Sequence, residues 1–158
     1  MAITHTDRAH LEHCLDLAEQ ALEAGDQPFG SLLVDEDGTI LLAARNRVGG
    51  GDHTRHPEFE IARWAAQNLP AERRARATVY TSGEHCPMCA AAHAWVGLGP
   101  IVYASSGEQL RGWLAELGLP PAPVAGLSIR QVAPSVPVKG PVPDLSERVR
   151  ALHLRYRD

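Results

Sequence analysis

Two short segments of this 158-residue sequence hold side chains able to do chemistry together. One is His56-Pro57-Glu58, and the other is Glu84-His85-Cys86-Pro87-Met88-Cys89. Cysteines at i and i+3 on a helix start can aim both sulfurs at one point, and the helix dipole favours anionic thiolates there. A neighbouring helix start could bring His56 to the same point. His56, Cys86 and Cys89 would then supply three N/S ligands and leave one tetrahedral position open, as in catalytic zinc sites. Glu58 lies two residues past the histidine, close enough to reach a zinc-bound water but badly placed to be a ligand. Zinc can lower the pKa of its water from about 15.7 to about 7. Two thiolates neutralise the ion's formal charge, so we expect weaker acidification and the need for a general base. Glu58 can take that proton and deliver it to a ring nitrogen and a departing amine. Hydroxide attack on an amidine-type carbon, with ammonia leaving, is deamination.

The elements that must position these groups are legible from periodicity. From His10 to Ala24, apolar residues at Leu11, Cys14, Leu15, Ala18 and Leu22 predict a helix stopped by Gly25. Gly30–Asp35 and Thr39–Asn46 read as two strands joined at Asp37-Gly38, a hairpin signal. Residues 47–55 read as a loop. A helix follows, with His56 at or near its N-cap and Pro57 at its first position. Ala77–Thr81 reads as a strand, Pro87–Val96 as a helix, Ile101–Ala104 as a strand and Gln109–Leu117 as a helix. Pro120, Pro121 and Pro123 force a loop. Leu127–Val132 alternates like a strand, Pro134–Pro143 should be extended, and Leu145–Arg155 should be helical with Asp144 as N-cap. Alternating strands and helices imply an α/β sheet covered on both faces.

The bulk numbers narrow the class. The length fits one domain, residues 1–158. The net charge of −4 offers no basic footprint for nucleic acid or an anionic membrane. No apolar run approaches the ~20 residues that span a bilayer, and the polar N-terminus lacks a signal-peptide core, so we expect a cytoplasmic protein. Three cysteines, an odd number, argue against a disulfide framework.

The H-x-E and C-x-x-C pair resembles the cytidine deaminase superfamily, whose zinc deaminases carry that signature. The likeness extends to Gln27-Pro-Phe-Gly-Ser31 (P-[FV]-G-A), Ala44-Arg-Asn46 (G-x-N), Asp52-His-Thr-Arg-His56 (D-P-T-x-H) and Thr81–Cys89 (T-x-E-P-C-x-M-C). It covers roughly residues 10–105 and is nearest in flavour to bacterial guanine deaminases and tRNA adenosine deaminases. The resemblance implies a three-layer α-β-α sandwich around a mixed five-stranded sheet, and usually a homodimer or larger assembly. It implies zinc on His56, Cys86 and Cys89, Glu58 as proton shuttle, Asn46 hydrogen-bonded to the heterocycle, and Phe29 walling the pocket. Two positions depart from the pattern. Pro57 replaces a residue whose N–H would donate to a substrate carbonyl, and Pro has none. His85 replaces a proline; it could bind substrate, tune the pocket or lie on the surface.

The expected activity is hydrolytic deamination of a small heterocyclic base, a guanine-like aminopurine first, with cytosine or an amino-triazine as alternatives. Deamination of tRNA adenosine lacks the positive surface that phosphates need. A structural zinc site would want a fourth ligand, for which His85 or His53 could serve, and a C-x-x-C redox pair would leave His56 and Glu58 without a role. Cys14 reads as a small core residue. Trp64, Trp95 and Trp113 read as core or dimer contacts, and His53 and His93 as core or surface. Glu108 and Glu116 fall where a second acid could hold a base, but a solvated helix face explains them better. The arginines at 73, 74 and 76 read as a solvated turn, and those at 148, 150, 155 and 157 as an exposed helix face.

Overall fold

The structure, a computed structural model, describes residues 2–157. Five strands form one mixed sheet in the order β2-β1-β3-β4-β5. They are β1 (Gly30–Val34), β2 (Ile40–Arg45), β3 (Thr78–Gly83), β4 (Ile101–Ser105) and β5 (Val138–Lys139). β1 runs antiparallel to β2 and to β3, while β3, β4 and β5 are mutually parallel. β1, β4 and nearly all of β3 are buried, as expected for strands covered on both faces.

Side-chain alternation along these strands sorts the core into two layers. Leu33, Val79, Ile101 and Tyr103 face α2 (Pro57–Asn68), α4 (Pro87–Trp95) and the short α6 (Ile129–Val132). Leu32, Val34, Tyr80, Val102 and Ala104 face α1 (His5–Glu23) and α7 (Pro143–Arg157). Gly30 sits where α1 crosses β1. A Cβ there would lie 2.5 Å from that of Leu17, so only glycine lets helix and strand approach. The chain thus forms the α-β-α sandwich expected from the sequence.

Four local expectations are corrected. Leu127–Val132 does not form a strand. Ser128 caps the short α6 by a reciprocal bond with Gln131, and the fifth strand forms from Val138–Lys139 within the extended Pro-rich stretch. α1 begins at His5 rather than His10, because Thr4 and Asp7 close a capping box that needs no apolar stripe. Residues 71–76 form a helix, α3 (Ala71–Arg76), rather than a turn, with Arg73 paired to Asp35 and Arg76 to Glu36 on the hairpin. α7 starts at Pro143, so Asp144 lies in its first turn and pairs with Arg8 instead of capping. The remaining helix, α5 (Gly107–Glu116), is capped by Ser106.

Among the described residues, no helix is long and apolar enough to cross a membrane.

Candidate metal centre and active site

Two helix starts meet beyond the end of the central strand β3. His56 is the N-cap of α2 with Pro57 next, and Cys86 is the N-cap of α4 with Pro87 next. In both, proline occupies the one position where a missing N–H costs nothing, and the chain delivers the preceding side chain at the helix mouth. Cys89 follows one turn into α4 and is buried. His56 Nδ1 lies 3.5 Å from Cys86 Sγ and 3.6 Å from Cys89 Sγ. An ideal tetrahedral zinc with ordinary Zn–N and Zn–S bonds would place nitrogen and sulfur about 3.6 Å apart. The three donor atoms all lie within 4.8 Å of one another.

Their electrostatics call for a cation. The Cys89 thiol and the His56 imidazole pull the Cys86 thiol down to about 4. The resulting thiolate, together with burial, drives the Cys89 thiol far above its ordinary value. The Cys86 sulfur holds the His56 imidazole above its usual value despite burial. Two sulfurs this close cannot both ionise unless positive charge lies between them, and a coordinated divalent ion supplies it. The donor set therefore fits zinc.

Glu58 stands in the first turn of α2, 5% exposed. Burial pushes its carboxyl up to about 7, against the pull of His56, the range suited to moving protons near neutrality. Its Oε1 faces the Ser31 hydroxyl at 3.2 Å, and that hydroxyl also lies 2.9 Å from Thr81 Oγ1. Thr81 donates its own proton to the Gly83 carbonyl at 2.9 Å. The Ser31 proton is thus the one shared between Thr81 and Glu58. Sequence reasoning did not single out Ser31 or Thr81. The signal available was Ser31 itself, a hydroxyl where the resembled pattern carries alanine.

Asn46 ends β2. It is two residues past Ala44, which pairs with Ser31, so alternation puts it on the face where Ser31 meets Glu58. Phe29 packs against Gly83, where a Cβ would come within 3.3 Å of its ring, and edge-on to His153 of α7 at 5.0 Å between centroids. A cleft of about 330 Å³ reaches His56 along the outer side of α2, between Arg55, Phe59, Arg63 and Trp64.

Other candidates separate clearly. His85 is buried at 2% exposure. Its ring packs edge-on against His93, and neither ring nitrogen has a hydrogen-bond partner among the described residues. It is not a surface residue. His93 is a core residue whose Nε2 meets the Gly99 carbonyl at 2.7 Å. Cys14 is fully buried, as expected. Glu108 is exposed, and Glu116 pairs with Arg150 at 3.0 Å. Trp64 and Trp113 pack partly against the core. Trp95 does not, since 89% of it is exposed at the end of α4.

Residues 4–105 match the family described as the cytidine and deoxycytidylate deaminase zinc-binding region. The chain belongs to that family. Among individual relatives, it is 34% identical over 110 residues to a probable cytosine deaminase of Schizosaccharomyces pombe, covering 68% of this chain and 65% of that one. It is 35% identical over 97 residues to a guanine deaminase of Bacillus subtilis, covering 60% and 62%. Each match thus spans less than two thirds of the relative's own length. A solved guanine deaminase from Nitrosomonas europaea shares the fold, with a TM-score of 0.71 at 21% identity, across 99% of this chain and 86% of that one. A solved neighbour with a TM-score of 0.73, at 22% identity and across 98% and 83% of the two chains, holds 2,6-diaminopurine.

Proposed function

We propose that this chain is a zinc-dependent hydrolytic deaminase of a small aminated heterocycle, a guanine-like aminopurine ahead of cytosine or an amino-triazine. The observation that carries the reading is the imidazole of His56 at 3.5 and 3.6 Å from two sulfurs, with a buried glutamate two residues away. His56, Cys86 and Cys89 would hold the ion. Zinc, when bound, supplies the Lewis acidity that makes water a nucleophile near neutral pH.

Glu58 accepts one proton from the attacking water and delivers it to the ring nitrogen, then carries the proton of the added hydroxyl to the leaving amine. The net change is one exocyclic amine and one water converted to a carbonyl and ammonia. The Ser31 hydroxyl holds Oε1 of Glu58, so the other oxygen is free for transfer. Asn46 binds the heterocycle and Phe29 bounds its pocket. Pro57 offers no N–H to a substrate carbonyl, which favours a ring recognised through other donors.

The purine preference is supported by the guanine deaminase relative and by the fold neighbour that holds 2,6-diaminopurine. Relatives also include a tRNA-specific adenosine deaminase of Haemophilus influenzae, 32% identical over 108 residues. The net charge of −4 weighs against an RNA substrate here. We infer a single domain over residues 1–158 acting as a homodimer. The bare Trp95 and the half-buried Phe59 and Trp64 on the α2–α4 side give a second copy an apolar surface to cover. Three unpaired cysteines suit a reducing, cytoplasmic setting.

The test is ammonia release by the zinc-loaded protein across a panel of aminopurines, aminopyrimidines and amino-triazines, with tRNA as a separate arm. Release from a free base is expected. A zinc-loaded protein that deaminates none of them would refute the reading, and salt-dependent binding and editing of tRNA would replace the substrate class.

A further inference from the structure

Asn46 is 1% exposed and held from three sides. Its N–H donates to the Phe29 carbonyl at 3.0 Å, its own carbonyl accepts from Arg45 Nη1 at 3.1 Å, and its Oδ1 accepts from the Val48 N–H at 3.0 Å. Arg45 is itself anchored, because the same Nη1 meets Asp26 Oδ2 at 2.7 Å. The other oxygen of Asp26 accepts the Gly49 N–H at 2.8 Å. One buried carboxylate therefore ties the residue before Asn46 to the loop after it. Glycine is required for this approach, since a Cβ at position 49 would lie 2.5 Å from Asp26 Oδ1.

The brace has a chemical consequence. With Oδ1 committed to Val48, the group left for a ligand is Nδ2, which makes no hydrogen bond among the described residues. Turning the amide over would set two donors, Nδ2 and the Val48 N–H, against each other, leaving a buried donor unpaired. The amide orientation is therefore fixed, with Nδ2 as its unpaired donor.

We propose that Asp26, acting through Arg45 and Gly49, is a positioning residue that locks Asn46 donor-side toward the substrate, so that the site selects heterocycles with a ring nitrogen or carbonyl oxygen facing it. This inference rests on the deaminase reading of the same site. Asp26 touches no substrate; it sets the loop whose Val48 N–H fixes the amide.

The experiment is a double-mutant cycle on the zinc-loaded full chain, with Asp26→Ala, Asn46→Ala and the pair. Asp26→Ala is expected to lower kcat/KM about ten- to a hundredfold with zinc content unchanged. In the Asn46→Ala background, the same change should cost less than twofold, because the amide it positions is gone. An equal cost in both backgrounds would make Asp26 merely structural, and no cost in either would remove it from the mechanism. Should Asp26→Ala fail to fold, the isosteric Asp26→Asn keeps an acceptor for Gly49 but loses the charge that holds Arg45. A second readout is independent of turnover: amide hydrogen exchange at Val48, expected to be slow in the parent and faster in Asp26→Asn. If the parent deaminates nothing, the functional reading fails while exchange still judges the brace. Unchanged protection at Val48 would overturn the brace itself.

Discussion

The two faces of the sheet treat buried polar groups in opposite ways. On the α1–α7 face, Asp7 accepts from the Thr4 N–H, from the Tyr80 hydroxyl at 2.8 Å and from the Lys139 ammonium at 2.9 Å. Burial would raise its pKa, but these donors together hold it below the ordinary carboxylate value. The rim of that face is laced by Arg8 with Asp144 and Arg155 with Glu19. On the α2–α4 face, Glu58 has one hydroxyl at 3.2 Å, His85 has no polar partner, and two sulfurs contest one proton. Polar groups that only stabilise a fold are paired within it. Groups left short of partners in a low-dielectric interior cost stability, and they cluster where an ion and a substrate would complete them.

The contrast is open to attack by mutation. The largest effect is expected from Glu58→Gln, which should cut kcat by roughly 10²–10⁴-fold while metal analysis still finds one zinc per chain. Cys89→Ala should instead lose the zinc. Turnover retained by Glu58→Gln would take the proton shuttle away from that face.

A pH effect comes next, because burial lowers both His93 and His153 to about 4. Above pH ~6.5 both histidines are neutral in the folded and unfolded chains, and stability is full. As pH falls from about 6.5 to 4, the unfolded chain takes up protons first and stability is lost. The loss should reach up to ~3 kcal/mol per histidine. Urea midpoints between pH 7.5 and 4.5 should show this decline. His153→Gln should flatten it, and a curve parallel to the parent's would clear His153 of the effect.

On the α1–α7 face, Asp7→Asn should lower unfolding free energy by about 1–3 kcal/mol, with kcat and KM unchanged. Denaturant melts beside steady-state rates separate the two, and a fall in kcat would blur the division between faces. The smallest change belongs to Ser31→Ala. It should lower kcat by about two- to tenfold at constant KM, as expected for one neutral hydrogen bond. A change confined to KM would move Ser31 from holding Glu58 to shaping the pocket.

The parts of the fold that were legible had local causes. The buried apolar run at 30–35, the β-former-rich run at 77–81, the Asp37-Gly38 turn and proline directly after His56 and after Cys86 each act within a few residues. The errors came where a distant partner decides. Leu127–Val132 alternates, but Ser128 caps it into a helix and the Ile129 N–H docks on Glu84, 45 residues earlier. The helix at 71–76 is short and has no buried residue; its Arg73 and Arg76 are paired by the hairpin at Asp35 and Glu36. Trp95 shows the reverse failure, since a helical position and an aromatic side chain do not reveal whether anything covers it.

The sequence by itself determined the donor types and their spacing, because ligand chemistry is a property of side chains and an i, i+3 interval on a helix is local geometry. It also determined the strand and helix alternation, which follows from short-range periodicity. Only the tertiary structure decided that the mouths of α2 and α4 converge, that Ser31 shares its proton with Glu58, and that Asp26 reaches across 23 residues to Gly49 to set Asn46. Those are contacts between segments far apart along the chain, and packing of the whole sheet fixes them, with no short-range rule to announce them.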